Sequence, residues 1–257
     1  MLSVLDLFRL DGKVALVTGA SKGIGQAIAL ALAEAGAEIV SLSRSPDSGT
    51  LAAQISALGR GYHPIALDLR AAAVAELEAA VQQAVTQAGR LDILVNNAGT
   101  ILRAPAIDYS EADWDAVLQI DLKTVFFLSQ AAARQMERQG GGKIINVASL
   151  LSYQGGINVP AYSAAKHGVM GLTRALANEW AIKHINVNAI APGYMDTDST
   201  AALRADPERY QAILNRIPAG SWGQPSDLQG AAVFLASDAA KYVHGTTLDV
   251  DGGWMAR

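Results

Sequence analysis

The segment Val14-Ala-Leu-Val-Thr18, continued by Gly19-Ala-Ser-Lys-Gly-Ile-Gly25, decides the fold of this chain. A short apolar run leads into three glycines and then into a helical pattern over Ile24–Ala35. Glycines between a strand and a helix permit a tight turn and let backbone N–H groups approach a phosphate. The spacing Gly-x-x-x-Gly-x-Gly differs from the common Gly-x-Gly-x-x-Gly pattern. We expect a dinucleotide-binding turn formed by Gly19, Ser21, Lys22, Gly23, Ile24 and Gly25.

The rest of the chain repeats the alternation of apolar runs and helical patterns. The predicted strands are Val14–Thr18, Glu38–Leu42, His63–Leu67, Ile93–Val95, Lys143–Val147, Asn186–Ile190 and Thr247–Val250. The predicted helices include Ile24–Ala35, Thr50–Leu58, Val74–Ala88, Asp113–Arg138, Ala161–Ile182 and Ser226–Leu235. Fully apolar strands that alternate with helices indicate a parallel sheet covered on both faces. We predict one doubly wound α/β domain over residues 1–257, with a lid-like insertion over Tyr194–Gly223, for which an ordinary surface excursion is the alternative.

Composition excludes several classes of function. The chain has 257 residues, a net charge of −4, no cysteine and four scattered histidines. Nucleic-acid binding, disulfides, thiolate chemistry and a histidine-based metal site are therefore not expected. The first ten residues do not resemble a signal peptide, and no apolar run reaches the ~20 residues of a membrane span. We expect a cytoplasmic protein without a membrane segment.

The end of the second strand bears on the choice of cofactor. An acid at this place would hold the adenosine ribose and repel a 2′-phosphate. The segment Ser41-Leu-Ser43-Arg44 has no acid, so Lys22 and Arg44 favour NADP(H), with NAD(H) or dual use as the open alternative. Asp68 and Leu69 follow the third strand, where they would face the adenine. Asn96, Ala98 and Gly99 end the fourth strand, and for Asn96 the alternative is a structural amide that caps a turn.

Tyr162 and Lys166 form the most informative pair of reactive side chains. Residues four apart lie on one face of a helix, so the ammonium can favour ionisation of the phenol. An unperturbed tyrosine titrates near ~10 and is a poor base at neutral pH without such a partner. The sequence thus predicts a proton-transfer pair close to the bound cofactor.

Taken in order along the chain, the glycine turn, Asn96-Asn-Ala-Gly99, Ser149, Tyr162-x-x-x-Lys166 and Pro192-Gly193 resemble the classical short-chain dehydrogenases/reductases. The resemblance covers essentially the whole chain. It implies a seven-stranded parallel Rossmann sheet with helices on both faces, a nicotinamide cofactor and a homotetramer.

The resemblance also implies roles for individual residues. Tyr162 would be the acid-base residue, and Lys166 would hold the nicotinamide ribose and lower the pKa of the tyrosine. Ser149 would bond the reacting oxygen, with Ser152 as its nearest competitor. Pro192, Gly193 and Thr197 would contact the nicotinamide. The chain departs from the family at Asp121, which replaces a frequent asparagine and is expected to be the fourth catalytic residue. If only its backbone carbonyl acts, the change is harmless, whereas an ionised carboxylate near Lys166 would partly offset the charge that activates Tyr162.

The substrate half resembles one group within that family, the 2-deoxy-D-gluconate 3-dehydrogenases. The segments that carry this resemblance are Ala148–Gly156, Asn178-Glu-Trp180, Arg216–Gly220 and Val250–Trp254. It implies a sugar acid as substrate, whose carboxylate needs a cation. Arg103 is the predicted cation, with Arg204 and Arg209 as alternatives.

Other polar and aromatic side chains complete the predicted substrate site. Gln154 and Asn158 would reach hydroxyl groups, and Ser149 and Tyr162 would touch the reacting carbon's oxygen. Trp222 and Trp254 would either cover sugar carbons or serve packing. Gluconate 5-dehydrogenation, reduction of a 3-oxoacyl thioester and a catalytically silent nucleotide-binding module remain alternative functions.

Overall fold

The computed structural model describes residues 3–45 and 49–257, and Met1 and Leu2 of the N-terminal segment lie outside it. The described residues contain seven strands: β1 Val14–Thr18, β2 Glu38–Ser43, β3 Tyr62–Ala66, β4 Ile93–Asn96, β5 Gly142–Val147, β6 Ile185–Pro192 and β7 Thr247–Val250. Their α-helices are α1 Gly23–Glu34, α2 Thr50–Ala57, α3 Val74–Ala88, α4 Glu111–Leu118, α5 Thr124–Gln139, α6 Pro160–Trp180, α7 Ala201–Ala205, α8 Pro207–Leu214 and α9 Gln229–Ala236.

All seven strands join one parallel sheet in the order β3-β2-β1-β4-β5-β6-β7. The order reverses between β1 and β4, since the chain moves outward to β3 on one side and to β7 on the other. Ligands of open α/β sheets bind beyond the carboxyl ends of the strands at such a reversal. The predicted doubly wound fold is therefore confirmed, and it places the glycine turn at the reversal point.

The first strand explains why the sheet needs two covered faces. Val14 and Leu16 belong to the core beneath α3, α5 and α6, whereas Ala15 and Val17 belong to the core beneath α1, α2 and α9. All four side chains are at most 2% exposed. Because neighbouring residues of a strand point to opposite faces, only an unbroken apolar run fits both cores.

One predicted helix is interrupted in the structure. The pattern over Asp113–Arg138 resolves into α4 and α5, joined by a π-helical turn over Gln119–Lys123. A π turn carries one residue more than an α turn, so side chains after it point in a different direction around the helix axis. An apolar pattern of period 3.6 does not reveal this change. The turn contains Asp121, so the correction changes where this carboxylate points.

The insertion after β6 is partly helical, as its composition predicts. A 3-10 turn over Asp198–Thr200 precedes α7 and α8. Side chains of both helices line the cavity above the sheet, among them Leu203, Arg204 and Ile213. We name Tyr194–Gly223 the lid segment.

Within residues 3–45 and 49–257, none of the helices combines the length and the apolar character that spanning a membrane requires.

Candidate active site

A cavity of about 980 Å³ lies at the carboxyl edge of the sheet and extends from the glycine turn to the lid segment. It brings together every predicted cofactor contact except Asn96, namely Gly19, Ser21, Lys22, Gly23, Ile24, Gly25, Arg44, Asp68, Leu69, Ala98, Gly99, Tyr162, Lys166, Pro192, Gly193 and Thr197. The predicted residues Arg103, Asp121, Ser149 and Gln154 line the same cavity. Residues far apart in sequence thus share one space.

The glycine turn is shaped for close backbone approach. Gly19 and Gly23 have φ values of +66° and +57°, a region that side-chain-bearing residues rarely adopt. A Cβ on Gly25 would overlap the carbonyl oxygen of Gly19. The turn therefore delivers the first N–H groups of α1 into the cavity, where they suit a phosphate.

Two asparagines at the end of β4 divide their work. Asn97 donates from Nδ2 to the carbonyl of Thr18 at 2.9 Å, and its own N–H donates to the Thr18 hydroxyl at 2.9 Å. Asn97 thereby fastens the loop after β4 to the glycine turn. Asn96 is buried and donates to Ser129 Oγ and Asn146 Oδ1 at 3.0 and 2.9 Å. The Asn96 amide therefore links β4 to β5 and α5, which supports its structural role and not a contact to the cofactor.

The cations at the adenosine end differ in their partners. Lys22 Nζ lies 2.7 Å from Asp198 Oδ2, so this ammonium is paired with the lid segment. Asp68 is bonded by the Arg70 guanidinium, which lowers the pKa of the Asp68 carboxyl to about 2. Arg44 is exposed and forms no ion pair among residues 3–45 and 49–257. Of the two cations predicted for a 2′-phosphate, Arg44 is the one left available.

The reactive pair lies on the first two turns of α6. Lys166 Nζ is 5.5 Å from the centre of the Tyr162 ring and donates to the carbonyl of Val147 at 2.8 Å. The Ser149 side chain lines the same cavity and, as a hydrogen-bonding group beside the Tyr162 phenol, lowers the pKa of that phenol. Ser152, the competitor of Ser149, is fully buried and donates to the carbonyl of Lys166 at 2.8 Å. Ser152 thus supports the helix behind the site, and Ser149 faces the phenol.

Asp121 reaches the same group from the π-helical turn. Its carboxylate is 0% exposed, its Oδ1 accepts the N–H of Thr100 at 2.8 Å, and its Oδ2 lies 3.7 Å from Lys166 Nζ. A Cβ on Gly99 would stand 3.0 Å from Oδ2, so the glycine leaves room for the carboxylate. Burial raises the pKa of the Asp121 carboxyl against the opposing effect of the Lys166 ammonium.

The electrostatic balance at Tyr162 has several contributors. Burial raises the pKa of the Tyr162 phenol, while the Lys166 ammonium lowers it. The Asp121 carboxylate raises this pKa further, and the Ser149 hydrogen bond and the Arg103 charge lower it. The arrangement can hold and move a proton at the phenol oxygen, with its acidity set by opposing charges.

The substrate end carries several guanidinium groups in different states. Arg204 is paired with Asp196 at 2.7 Å. Arg216 stacks 4.1 Å from the centre of the Trp254 ring, and its Nη2 lies 3.4 Å from Gln154 Oε1. Arg103 donates to the carbonyl of Ser199 at 3.4 Å and carries no carboxylate partner among the described residues. Arg103 is therefore available for an anion.

The remaining predicted substrate contacts are placed as follows. Arg209 and Trp254 line the cavity. Asn158 does not line it, and the carbonyl of Asn158 accepts the N–H of Ala104 at 3.1 Å. Trp222 is 7% exposed and packs among Leu150, Ile213 and Trp254, which supports its packing alternative. The described residues contain no cluster of His, Cys, Asp or Glu that suits a metal ion.

A doubly wound sheet, a glycine turn at its reversal point and a tyrosine-lysine-serine group in one cavity define a nicotinamide-dependent oxidoreductase that acts on a hydroxyl or carbonyl group. The family profile described as enoyl-(acyl carrier protein) reductase matches residues 19–255. The chain belongs to the short-chain dehydrogenase/reductase family. The predicted family and enzyme class are confirmed.

Three relatives illustrate the similarity. The chain is 55% identical over 255 residues to the 2-dehydro-3-deoxy-D-gluconate 5-dehydrogenase of Escherichia coli K12, a match that covers 99% of this chain and 100% of the relative. A structure from Agrobacterium tumefaciens, described as a 2-deoxy-D-gluconate 3-dehydrogenase with bound NADP, is 55% identical with a TM-score of 0.90, covering 98% and 99% of the two chains. A gluconate 5-dehydrogenase from Burkholderia cenocepacia, in complex with NADP and tartrate, is 41% identical with a TM-score of 0.94 and 99% and 100% coverage.

Proposed function

We propose that the protein transfers a hydride reversibly between a nicotinamide cofactor and a secondary alcohol or ketone of a sugar acid, of the 2-dehydro-3-deoxy-D-gluconate or 2-deoxy-D-gluconate type. The main support for this proposal is that Ser149, Tyr162 and Lys166 lie together in the cavity that begins at the glycine turn. The names of the relatives from Escherichia coli and Agrobacterium tumefaciens support the substrate class.

The residues divide the proton chemistry among them. The nicotinamide supplies the two-electron hydride chemistry when it is bound. In alcohol oxidation, the Tyr162 oxygen takes the hydroxyl proton, and in ketone reduction it returns the proton to the carbonyl oxygen. Ser149 donates to that same oxygen and stabilises charge on it. Lys166 favours the phenolate through its ammonium and is held in place by the Val147 carbonyl.

The backbone of the glycine turn supports binding of a dinucleotide there. Gly19 and Gly23 adopt left-handed backbone, and the space that a Cβ on Gly25 would need is occupied by backbone. Gly193 is equally restricted, because a Cβ there would lie 2.6 Å from the Cα of Asp251. We assign the pyrophosphate to the glycine turn and the nicotinamide end to Pro192, Gly193 and Thr197.

We further propose that NADP(H) is preferred over NAD(H). Arg44 supports this preference because it lines the cavity and forms no ion pair among the described residues, although its charge also acts on the Asp68 carboxyl. Bound NADP in the structures from Agrobacterium tumefaciens and Burkholderia cenocepacia agrees with it. Lys22 contributes to a 2′-phosphate only after it leaves Asp198.

The substitution Arg44→Gln tests this preference. We expect the Kd for NADPH to rise by about tenfold or more, because a charge-assisted contact to phosphate is lost, and the Kd for NADH to change little. Both constants can be measured by nucleotide fluorescence titration. Arg138→Gln, which removes an exposed arginine of α5 outside the cavity, is the matched control. Equal weakening of both nucleotides by Arg44→Gln contradicts the proposed 2′-phosphate contact.

We assign the substrate carboxylate to Arg103, and Gln154 to a hydroxyl group. The substitution Arg103→Gln is expected to raise KM for a sugar acid by about tenfold or more, because a carboxylate loses its cation. Since the Arg103 charge also lowers the Tyr162 pKa, the rise of oxidation rate with pH should move to higher pH. Initial rates between pH 6 and 10 give both results. Arg209→Gln is measured in parallel. If KM rises in Arg209→Gln but not in Arg103→Gln, the substrate carboxylate binds to the lid segment and the assignment to Arg103 is wrong.

The function as a whole is tested by a steady-state screen with the purified protein. Each of 2-dehydro-3-deoxy-D-gluconate, 2-deoxy-D-gluconate, D-gluconate and a 3-oxoacyl thioester is offered with NAD(H) and with NADP(H), and absorbance at 340 nm is followed. We expect the largest kcat/KM for one of the first two compounds. A preference for the thioester overturns the substrate class, and tight nucleotide binding without any turnover supports the silent-module alternative.

A single domain over residues 1–257, a homotetramer and a cytoplasmic location complete the proposal. The homotetramer rests on the family resemblance and is tested by sedimentation equilibrium of the purified chain.

A further inference from the structure

The Asp121 carboxylate occupies an unusual electrostatic position. It is fully buried, one oxygen accepts a backbone N–H, and the other has no hydrogen-bond partner among the described residues. A buried carboxylate oxygen without a donor is costly unless a charge compensates it. The nearest cation is Lys166, whose ammonium is 3.7 Å away and itself almost fully buried.

The same ammonium is the group that acts on Tyr162. Lys166 donates to the carbonyl of Val147, and its Nζ lies 3.7 Å from Asp121 Oδ2 and 5.5 Å from the centre of the Tyr162 ring. An ion pair of opposite charges has a smaller field at a third group than the cation alone. The phenol therefore experiences an ammonium whose charge is partly cancelled.

We infer that Asp121 is a positioning residue. Its carboxylate balances the charge of Lys166 and thereby raises the pH range in which the Tyr162 phenol can accept a proton. This inference rests on the proposed function, because it assigns proton transfer to Tyr162. The charged and titratable groups that face the phenol are Lys166 from α6, Asp121 from the π-helical turn and Arg103 from the loop after β4. Asp121 is the one negative charge among these three.

The substitution Asp121→Asn removes the charge and keeps the shape. An amide oxygen at the position of Oδ1 still accepts the Thr100 N–H, so the local fold is preserved. The Lys166 ammonium then acts on the phenol without compensation. In alcohol oxidation, the pH at which kcat/KM reaches half its plateau is expected to fall by about one unit.

A matched control separates this effect from a general change of net charge. Asp115→Asn removes a carboxylate from the exposed face of α4 and should leave the half-plateau pH unmoved. If Asp121→Asn proves too unstable to purify, Asp121→Ser offers a second neutral side chain with an acceptor oxygen. A half-plateau pH that stays the same or rises in the neutral variants overturns the inference.

A second readout works without any substrate. Tyrosinate absorbance near 295 nm is titrated in the parent protein and in Asp121→Asn, each against its own Tyr162→Phe partner. The difference isolates ionisation of Tyr162, which should occur at lower pH in the Asp121→Asn background. If all tested sugar acids fail as substrates, the proposed function fails while this titration still decides the role of Asp121. If turnover is found and the titration does not shift, the role of Asp121 is wrong and the function stands.

Discussion

Replacement of Tyr162 by phenylalanine is expected to lower kcat by about 10³-fold or more in both reaction directions. The phenol oxygen is the only proton-transfer group that the proposal places on the reacting oxygen, and Ser149 alone can orient but not exchange that proton at neutral pH. The ring remains and still fills its place beside Lys166. The Kd of the nicotinamide cofactor should therefore change by no more than about threefold.

Measurement of single-turnover rates and cofactor binding separates these two effects. Tyr109→Phe is the matched control, because this tyrosine packs in the same apolar cluster and donates its hydroxyl to the carbonyl of Leu102 at 3.1 Å, outside the cavity. It should keep near-parental turnover. Near-parental turnover in Tyr162→Phe would remove Tyr162 from the mechanism.

Replacement of Lys166 by methionine is expected to have two separable consequences. Loss of the ammonium takes away the group that favours the phenolate, so kcat should fall by about 10²-fold or more. It also leaves the fully buried Asp121 carboxylate without its cation. Breaking one side of a buried ion pair typically lowers the free energy of unfolding by about 3 kcal/mol or more.

The double variant Lys166→Met/Asp121→Asn distinguishes these consequences. It should regain most of the lost free energy of unfolding, because no uncompensated charge remains, and regain none of the turnover. In the single variant, the folded-state pKa of Asp121 lies above its unfolded value. The free energy of unfolding of Lys166→Met, relative to that of the double variant, is therefore largest at low pH and decreases as pH rises through the folded-state pKa of Asp121.

Urea denaturation between pH 4 and 9 measures this difference. Lys183→Met is the control for loss of an exposed lysine, since Lys183 pairs with Glu137 at 2.9 Å on the surface and should change the free energy of unfolding by under about 1 kcal/mol. If Lys166→Met is as stable as the parent and equally insensitive to pH, the buried pair is not ionised.

The charge arrangement around Tyr162 connects both predictions. Tyr162 and Lys166 are four residues apart on one helix, so their proximity follows from helix geometry alone. The carboxylate that opposes the lysine comes from a different helix and is brought in by the π-helical turn. The reaction chemistry and the folding stability of this site thus share one buried ion pair.

Much of the fold could be predicted because its signals are local. The apolar run Val14–Thr18 and the glycines after it specify a strand, a tight turn and a helix within about twenty residues. The same holds for Tyr162 and Lys166, whose common helix face follows from a spacing of four. These features depend on neighbours along the chain, so their residue types and spacing are sufficient.

Tertiary structure decided what long-range contacts control. The Asn96 side chain bonds to buried groups behind the cavity, whereas the Asn97 side chain bonds to Thr18 and fastens the glycine turn. Tertiary structure also paired Lys22 with Asp198 of the lid segment and left Arg44 free of any ion pair within the described residues.

The sequence by itself determined the individual strands, the dinucleotide turn and the reactive tyrosine-lysine pair, because backbone conformation and helix periodicity fix them locally. Only the tertiary structure decided which charges meet at that pair. Asp121 and Lys166 are separated by forty-five positions in the chain, and the 3.7 Å between their charged atoms results from the packing of the π-helical turn against α6. Electrostatic interaction depends on distance and burial in the folded molecule, and neither quantity is encoded in the local pattern of residues.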